Sequence, residues 1–354
     1  MSAGPVRDED AFDVSAVATW LREQASPEVA ADLVGDPEVR QFSGGASNLT
    51  YELRWPARAL VLRRPPHGAL GGSAHNMRRE HDLQAALGPV FPHVPRMVAL
   101  CTDEAVLESD FYVMERLEGV VVGKDLPAGV DLDATAARRL SERAWDALVE
   151  LHEVDVAAVP ELAALDRGDG FVRRQVEGWT KRFRAARTPD VPDLEEVMAW
   201  LAEHQPADRP HTLIHNDFRL DNLVLDTDDP TRVVGILDWE LATVGDPLVD
   251  LGGALAYWAQ ADDDATMLSL RLQPTHLPGM PTRAEIVERY CASRGLKISA
   301  EEWTFYEVFG LFRLAGIAQQ IYHRYHGGHT TNPRFASFGP MVTYLDARCR
   351  SLIG

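Results

Sequence analysis

The sequence predicts an α+β fold with two lobes: a small antiparallel sheet with one internal helix, followed by a larger lobe that is mostly helical. A chain of 354 residues is long for a single hydrophobic core. Short β-like runs separated by Gly, Pro, Ser and Asn fill its first part, whereas apolar residues recur at helical spacing from about residue 132 onward. We therefore expect an N-terminal lobe over residues 1–117 and a C-terminal lobe over residues 118–354.

The N-terminal lobe begins with a helical extension over residues 10–34, in which Val14, Val17 and Leu21 are spaced as on one helix face. The pattern then changes to short strands that are broken by turn residues. We predict a hairpin in "VRQFSGGASNLTYELRW" (39–55), a third strand in "ALVLRR" (59–64), a helix in "MRREHDLQAALG" (77–88), and further strands at 94–101, 105–108 and 111–119.

The C-terminal lobe is predicted to be helical except for one polar hairpin. The hairpin consists of "NLVLD" (222–226) and "VVGILDWE" (233–240), two short apolar runs on either side of a turn. The predicted helices, each with an apolar face at helical spacing, cover residues 136–154, 170–187, 193–205, 283–295 and 301–325.

Composition narrows the class of protein. The formal net charge of −19 argues against a nucleic-acid or anionic-membrane surface, because both require clustered Lys and Arg. The polar, acidic start is unlike a signal peptide, and no apolar run reaches the roughly 18 residues needed to cross a bilayer. Three widely spaced cysteines, Cys101, Cys291 and Cys349, indicate neither a disulfide framework nor a zinc site. We expect a soluble, cytoplasmic protein.

The stretch "LIHNDFRLDNLVLD" (213–226) carries the strongest chemical signal. It holds His215, Asp217 and Asn222, and the second arm of the hairpin supplies Asp238. Because a hairpin returns neighbouring strand ends to one edge, Asp217, Asn222 and Asp238 are expected to converge there. An amide oxygen and a carboxylate oxygen suit Mg²⁺, and a separate carboxylate can accept a proton from a hydroxyl nucleophile. This division of roles is what phosphoryl transfer requires.

These motifs resemble the catalytic and metal-binding elements of the protein-kinase-like fold. "HNDFRLDN" followed by "ILDWELATVGDPLVDLG" is similar to the aminoglycoside phosphotransferase and choline-kinase-like family. Within it, "FSGGASNLTY", "LVLRRPP", "FYVMERLEG" and "GDPLVDLG" most resemble the kinase domain associated with acyl-CoA dehydrogenase members 10 and 11. The resemblance covers about residues 35–330.

The resemblance implies a role for each matching position. It makes Asp217 the catalytic base, His215 a support of the catalytic loop, and Asn222 and Asp238 the two magnesium ligands. Asp250 matches a buried acid that steadies the loop through its backbone. The remaining matches concern the nucleotide. The turn that would cover the phosphates consists of Ser43, Gly44, Gly45, Ala46, Ser47 and Asn48. Arg63 with its acidic partner Glu80 would bind the phosphates, and Glu115 to Leu117 would form the hinge for the adenine.

One position departs from the family pattern. Lys is usual where this chain has Arg63, and Arg is not a neutral exchange, although it can pair with Glu80 and bind phosphate through two nitrogens. The dehydrogenase-linked branch shares this Arg. The phosphate turn also lacks a full G-x-G-x-x-G.

Two other patterns are weaker. "GVVVGKD" (119–125) suggests a P-loop, but it is one residue short between the glycines and has Asp125 where Ser or Thr should bind Mg²⁺. His323, His326 and His329 lie close together in sequence as in a metal site, yet without acidic or Cys partners they are expected to be exposed and unliganded.

The sequence therefore predicts a small-molecule kinase that uses ATP and Mg²⁺, with GTP not excluded. The resemblance implies a hydroxylated acceptor, a hydroxyacyl-CoA or a related hydroxy acid. An aminoglycoside is the alternative, which the acidic charge favours mildly. A nucleotide-binding regulator without transfer activity is an alternative of another class. Oligomeric state is not fixed by the sequence.

Overall fold

The computed structural model describes residues 3–42, 48–66, 75–330 and 332–354. The strands are β1 (Ala3–Gly4), β2 (Glu38–Phe42), β3 (Leu49–Arg54), β4 (Ala59–Arg64), β5 (Met97–Cys101), β6 (Phe111–Glu115), β7 (Val120–Val121), β8 (Thr212–Ile214), β9 (Leu223–Leu225), β10 (Val233–Ile236) and β11 (Thr243–Gly245). The helices are α1 (Val14–Gln24), α2 (Pro27–Asp32), α3 (Met77–Leu87), α4 (Glu104–Leu107), α5 (Ala134–His152), α6 (Pro160–Ala163), α7 (Phe171–Ala186), α8 (Glu195–Glu203), α9 (Pro247–Leu255), α10 (Ala265–Leu270), α11 (Arg283–Ser293), α12 (Ala300–His326) and α13 (Phe338–Ile353).

The first six strands form one antiparallel sheet in the order β1-β2-β3-β4-β6-β5. This confirms the predicted hairpin, the strand at 59–64 and the small antiparallel sheet. Helix α3, predicted at 77–88, lies between β4 and β5 in the chain, and Asn76 caps it by accepting the Arg79 amide at 2.9 Å. The lobe boundary at residue 117 remains a prediction.

One predicted strand is wrong. Residues 105–108, "AVLE", were expected to be extended, but Glu104–Leu107 form helix α4. The physical reason is the preceding Asp103, whose carboxylate accepts the Ala105 amide at 2.9 Å and so caps a helical turn. A run of four residues is too short for its apolar pattern to separate strand from helix.

The alternation of side chains along β4 explains how the sheet supplies the site. Leu60 and Leu62 face the core that is formed with α1. Val61 faces the opposite side, where it packs with Met77 of α3. Because side chains two residues apart share one face of a strand, Arg63 extends from the face of Val61, toward α3.

The helical lobe confirms all five predicted helices, as α5, α7, α8, α11 and α12. It also contains elements that were not predicted, including α9, α10 and the C-terminal α13. The largest core runs through this lobe and continues into the first lobe at Leu83 and Leu87 of α3 and at Phe91. The long α12 packs against α7, α9 and α13 and forms the centre of the lobe.

The predicted polar hairpin is present, since β9 and β10 pair antiparallel with Ile236 opposite Leu223. The two-residue β7 adds to the other side of β9. Gly119 permits this contact, because a Cβ there would lie 2.3 Å from the Leu225 carbonyl oxygen. Since "GVVVGKD" contains β7 and no helix begins after it before Ala134, it is not a P-loop, as expected.

Cys101, Cys291 and Cys349 are all buried, and none of them forms a disulfide. In the part of the chain that the structure describes, none of the helices combines the length and the apolar character needed to cross a bilayer.

Candidate active site

A cleft of about 370 Å³ opens between the β4–β6 face of the large sheet and the β9–β10 hairpin. The connector that follows β6 closes one side of it. Its lining includes most of the site residues expected from the sequence: Asn48, Arg63, Glu80, Glu115, Leu117, Asp217, Asn222 and Asp238. Of the expected residues, Ser43, Gly44, Gly45, Ala46 and Ser47 lie outside the described residues.

The hairpin brings the two arms of the polar motif together. The pairing of Leu223 with Ile236 places Asn222 beside Leu237, whose amide donates to the Asn222 carbonyl at 2.8 Å. Asp238 is the next residue, so it emerges at the same strand edge as Asn222. The strands themselves are buried, which fixes this register because a slip by one residue would turn their apolar side chains outward.

Asp217 and Asn222 are in direct contact. The Asn222 Nδ2 donates to the Asp217 carbonyl oxygen at 2.8 Å and to its Oδ2 at 3.0 Å. This fixes the amide orientation, because both partners are acceptors. Among the described residues, nothing donates to Asn222 Oδ1 or to Asp217 Oδ1. One amide oxygen and one carboxylate oxygen therefore remain available to a ligand.

His215 lies entirely behind this loop. Its Nδ1 accepts the Asp217 amide at 3.2 Å, so its Nε2 carries the proton and donates to the Leu237 carbonyl at 3.0 Å. The imidazole thus connects the backbone before Asp217 with the backbone before Asp238. This geometry is what the expected loop-supporting histidine requires.

Asp250 holds the same loop from α9. Its Oδ2 accepts the His215 amide at 2.7 Å and its Oδ1 accepts the Asn216 amide at 2.8 Å. His152 of α5 donates from Nε2 to Asp250 at 3.1 Å and accepts the Tyr290 hydroxyl on Nδ1 at 2.6 Å. Burial lowers the pKa of His152, so the imidazole is neutral in this arrangement. Although burial raises the pKa of Asp250, the hydrogen bonds from His152 and the His215 amide hold it below its ordinary value.

Two residues of the loop are in the left-handed backbone region, Asn216 at φ 65° and Asp238 at φ 67°. Asn and Asp tolerate this region better than other residues with side chains, at a cost on the order of 1 kcal/mol each. Asn216 is held on both sides, since its Nδ2 donates to the Leu241 carbonyl at 3.0 Å and its own carbonyl accepts from Arg313 of α12. Contacts on both sides thus hold Asn216 in its strained conformation.

Arg63 meets three acids in the cleft. It lies 3.4 Å from Glu80, 2.8 Å from Asp238 and 3.0 Å from Glu240. The expected Arg63–Glu80 pair is therefore present, but the contacts with Asp238 and Glu240 were not expected. The Tyr112 hydroxyl donates to Glu80 Oε1 at 2.8 Å. Burial raises the pKa of Glu80, and Arg63 and Tyr112 oppose that rise.

This cluster contains buried polar atoms without hydrogen-bond partners in the described chain. They are Glu80 Oε2 and Arg63 Nε. Buried polar groups are almost always paired in folded proteins, so unpaired atoms that line a cleft indicate a site for a polar ligand.

The connector that follows β6 is held in place at Glu115. The Glu115 amide is already bonded to the Arg96 carbonyl at 2.8 Å, and the Glu115 carboxylate accepts from Arg58 at 2.7 Å. The Leu117 amide has no partner in the described part of the chain, so it is available as a donor. The Leu117 side chain packs over Gly235 of β10, where a Cβ would lie 2.2 Å from its Cδ1.

Asn48 is the part of the expected phosphate turn that the structure describes. Its Nδ2 donates to Glu240 at 3.1 Å, and its Oδ1 lies 3.0 Å from His75 Nδ1. Glu240 thus joins the end of the turn to Arg63. Arg79 of α3 adds a second link by donating to the Glu240 carbonyl at 3.0 Å and to the Ala242 carbonyl.

Sequence reasoning missed several residues of the site. Tyr112 lay inside an apolar strand pattern and carried no signal of its own. Glu240 was visible at the end of "ILDWE" but had no assigned partner, because its contact depends on packing between the lobes. Arg219 was visible beside Asp217, and lies 3.5 Å from it, with its guanidinium 4.8 Å from the Tyr257 ring.

His323 and His326 lie in the last turn of α12, and His329 follows shortly after it. Among the described residues there is no group of three or more His, Cys, Asp or Glu side chains arranged to hold a metal ion. One detail differs from expectation, since His326 does have an acidic neighbour, Asp190, at 3.8 Å. The expected magnesium ligands, Asn222 and Asp238, do not form a group of three such side chains, because phosphate oxygens and waters would complete the coordination.

Comparison with known proteins identifies the class. A family model described as the phosphotransferase enzyme family matches residues 38–286. The chain belongs to this phosphotransferase family.

The curated relatives of the chain belong to a narrower group than the family model describes. Mouse acyl-CoA dehydrogenase family member 10 is 34% identical over 339 residues, which cover 96% of this chain and 31% of the mouse protein. Human acyl-CoA dehydrogenase family member 11 is 31% identical over 337 residues, which cover 94% of this chain and 42% of the human protein. The chain thus spans less than half the length of these relatives. The expected resemblance to the domain associated with members 10 and 11 is confirmed.

Solved structures agree with the predicted fold. A Ralstonia eutropha protein solved as a candidate aminoglycoside phosphotransferase superposes with a TM-score of 0.81 at 29% identity, covering 97% of this chain and 98% of that chain. APH(2")-IIia, solved with GDP and kanamycin, gives a TM-score of 0.60 at 15% identity, covering 88% of this chain and 93% of its own. The protein-kinase-like α+β fold is therefore confirmed.

Proposed function

We propose that this chain is a small-molecule kinase that transfers the γ-phosphate of ATP to a substrate hydroxyl. The observation that carries the proposal is the convergence of Asp217, Asn222 and Asp238 on one edge of the cleft, opposite Arg63. Family membership supports transfer of a phosphoryl group. The roles of the individual residues and the acceptor are proposals.

Asp217 is proposed as the base. Its Oδ2 is occupied by Asn222, while Oδ1 is free of donors among the described residues. A hydroxyl placed against Oδ1 would be oriented for attack and would pass its proton to the carboxylate as the new bond to phosphorus forms. Fixing the loop in advance through His215 and Asp250 avoids rearrangement during the reaction.

The residues present fit a magnesium ion. Asn222 offers Oδ1, and Asp238 offers Oδ2 because Arg63 contacts its Oδ1. Two such oxygens, with phosphate oxygens and waters, suit the octahedral preference of Mg²⁺. When bound, the ion would neutralise charge on the transferred phosphoryl group.

The nucleotide is proposed to lie between the lobes. Leu117 would donate its amide to the base, and Arg63, held by Glu80, would contact the phosphates. Asn48 would lie above them. The structural neighbour APH(2")-IIia was solved with GDP, which supports a nucleotide as ligand and keeps GTP as the alternative to ATP.

For the acceptor we propose a hydroxyacyl-CoA or a related hydroxy acid. The support is the identity of over 30% with proteins named as acyl-CoA dehydrogenases, along almost the whole of this chain. An aminoglycoside is the second candidate, favoured by the likeness to the Ralstonia eutropha structure. A regulator without transfer activity is disfavoured because Asp217, Asn222 and Asp238 are all present.

The test is mass-spectrometric detection of phosphorylated product with Mg²⁺ and ATP or GTP. The acceptors are hydroxyacyl-CoAs, free hydroxy acids, aminoglycosides, choline and simple sugars. We expect a product one phosphate heavier, and for Asp217→Asn a rate lower by about 10²–10⁴-fold. Nucleotide binding by that variant, measured by calorimetry, should be retained.

The outcomes separate the candidates. Product from one acceptor class alone names the substrate. Binding of Mg·ATP without any product favours the regulator, and failure to bind either nucleotide rejects the kinase.

A further inference from the structure

Two arginines and one tryptophan form a group on helices α7 and α12. Arg182 of α7 lies 4.5 Å from the centre of the Trp179 ring, and Arg313 of α12 lies 5.7 Å from the same ring. Arg182 is exposed, whereas Arg313 is buried. Two guanidinium groups therefore share one indole.

Helix packing fixes this group. Trp179 and Arg182 are three residues apart on α7 and so share one face. The indole packs against Gly316 of α12, where a Cβ would lie 3.0 Å from the ring, and Arg313 is one turn before Gly316. Arg313 also crosses Gly253 of α9, where a Cβ would lie 2.9 Å from its Nη1.

Neither arginine is neutralised by the protein. In the described residues, no carboxylate lies within ion-pair distance of Arg182 or Arg313, although the chain has 54 acidic residues against 35 basic ones. Elsewhere its arginines take acidic partners readily, as Arg58 does with Asp32 and Glu115. Burial lowers the pKa of Arg182, and the charge of Arg313 lowers it further. Two like charges on one indole without an acidic partner are unfavourable, and a bound anion would offset that cost.

The group adjoins the proposed base. Arg313 donates to the carbonyl of Asn216, the residue directly before Asp217. On the other side of Asp217, Arg219 lies 3.5 Å away and stacks on Tyr257. One arginine thus contacts the backbone directly before Asp217 and another lies near its carboxylate, although the molecule as a whole is strongly acidic.

We propose that Arg182 and Arg313, together with Trp179, form a binding site for an anionic group of the acceptor. This rests on the proposed kinase function and narrows its acceptor to an anion, either the carboxylate of a free hydroxy acid or the phosphates of its CoA thioester. Guanidinium groups bind both through charge-assisted hydrogen bonds. A polycationic aminoglycoside would be repelled at this position.

The test measures acceptor binding by calorimetry, with and without Mg·ADP, so that it does not depend on turnover. The ligands are a free hydroxy acid, its CoA thioester, its uncharged N-acetylcysteamine thioester and kanamycin. The variant is Arg182→Gln, which changes an exposed side chain. The matched control is Lys181→Gln, which removes the same charge from the adjacent exposed position of α7.

We expect Arg182→Gln to weaken binding of the anionic acceptor ~10-fold, the effect of losing one charge-assisted contact. Lys181→Gln should leave it unchanged, and neither variant should alter binding of the uncharged thioester. Tighter binding of the free acid assigns the site to a carboxylate, and tighter binding of the CoA thioester assigns it to phosphate.

Several results would overturn the proposal: no binding of either anion, equal effects of the two variants, an equal effect of Arg182→Gln on the uncharged thioester, or preferential binding of kanamycin. Its failure is distinguishable from failure of the kinase. If anion binding depends on Arg182 but no acceptor is phosphorylated, the proposed anion site is supported and the proposed kinase activity is rejected. If product forms at the same rate in Arg182→Gln and the wild type, the kinase activity is supported and the proposed anion site is rejected.

Discussion

Two buried polar networks support the cleft, one around Asp250 and one around Arg63 and Glu80, and they differ in how completely their hydrogen bonds are satisfied. Behind the loop, both oxygens of Asp250 are bonded, and both nitrogens of His152 have partners. Facing the cleft, Arg63 and Glu80 are each left with an unpaired buried atom. The hydrogen bonds of the rear network, which is centred on Asp250 and His152, are therefore complete. Those of the front network, which is centred on Arg63 and Glu80, are not.

The difference separates a structural role from a binding role. A fully bonded buried network stabilises one conformation whether or not a ligand is present. A partly bonded network costs stability in the free protein and gains it when a charged ligand supplies the missing partners. The same change of acid to amide should therefore have opposite consequences in the two places.

The largest effect is expected for Asp250→Asn. The Asp250 carboxylate accepts from two backbone amides and from His152, and an amide would direct its NH₂ group at one of these donors. We expect the free energy of unfolding to fall by about 3 kcal/mol. Urea denaturation monitored by circular dichroism measures it, with Glu153→Gln, an exposed acid-to-amide change, as the control. A loss no larger than that of the control would contradict the structural role.

Glu80→Gln should behave in the opposite way. Glutamine can still accept the Tyr112 hydroxyl. Removing the charge also removes the cost of burying a carboxylate, the same cost that raises the pKa of Glu80. We expect the free energy of unfolding to change by less than ~1 kcal/mol. The catalytic efficiency with ATP should fall about tenfold or more, because Arg63 would be drawn toward Asp238 and Glu240.

Steady-state kinetics and urea denaturation on the same preparation test the second variant. If Glu80→Gln unfolded as easily as Asp250→Asn, the two networks would not differ in kind. If it kept full activity, Glu80 would not position Arg63 for the nucleotide.

The same distinction explains what the sequence could predict. Asp217, Asn222 and Asp238 are close in the chain, and a hairpin with an apolar pattern was enough to predict that they meet at one edge, whereas the role of His215 followed from the resemblance. The Arg63–Glu80 pair followed from the resemblance. By contrast, Glu240 on Arg63, Arg313 on Asn216 and Tyr112 on Glu80 join distant segments. Such contacts depend on how helices and lobes pack, which neither spacing nor local propensity encodes.

Secondary structure shows the same limit at smaller scale. The long, strongly periodic helices were correct, because their pattern repeats over several turns. The error at 105–108 came from a four-residue run in which one capping side chain, Asp103, decided between strand and helix. The two-residue β7 was missed because its pairing with β9 requires the close approach at Gly119.

The smallest predicted effect concerns pH and the rear network. The pKa of His152 is lowered by burial, so as the pH falls the unfolded chain takes up a proton near its ordinary pKa of about 6.5 while the folded protein does not. The contribution of His152 to stability is thus complete above that pH and is lost as the pH falls below it. His152→Gln keeps a donor for Asp250 and an acceptor for Tyr290 but does not titrate. Between pH 7 and 5 the wild type should lose about 1 kcal/mol more of its unfolding free energy than this variant. Urea denaturation at each pH measures the difference, and parallel losses would mean that His152 is protonated in the folded protein and that the Asp250 network is held by an ion pair instead.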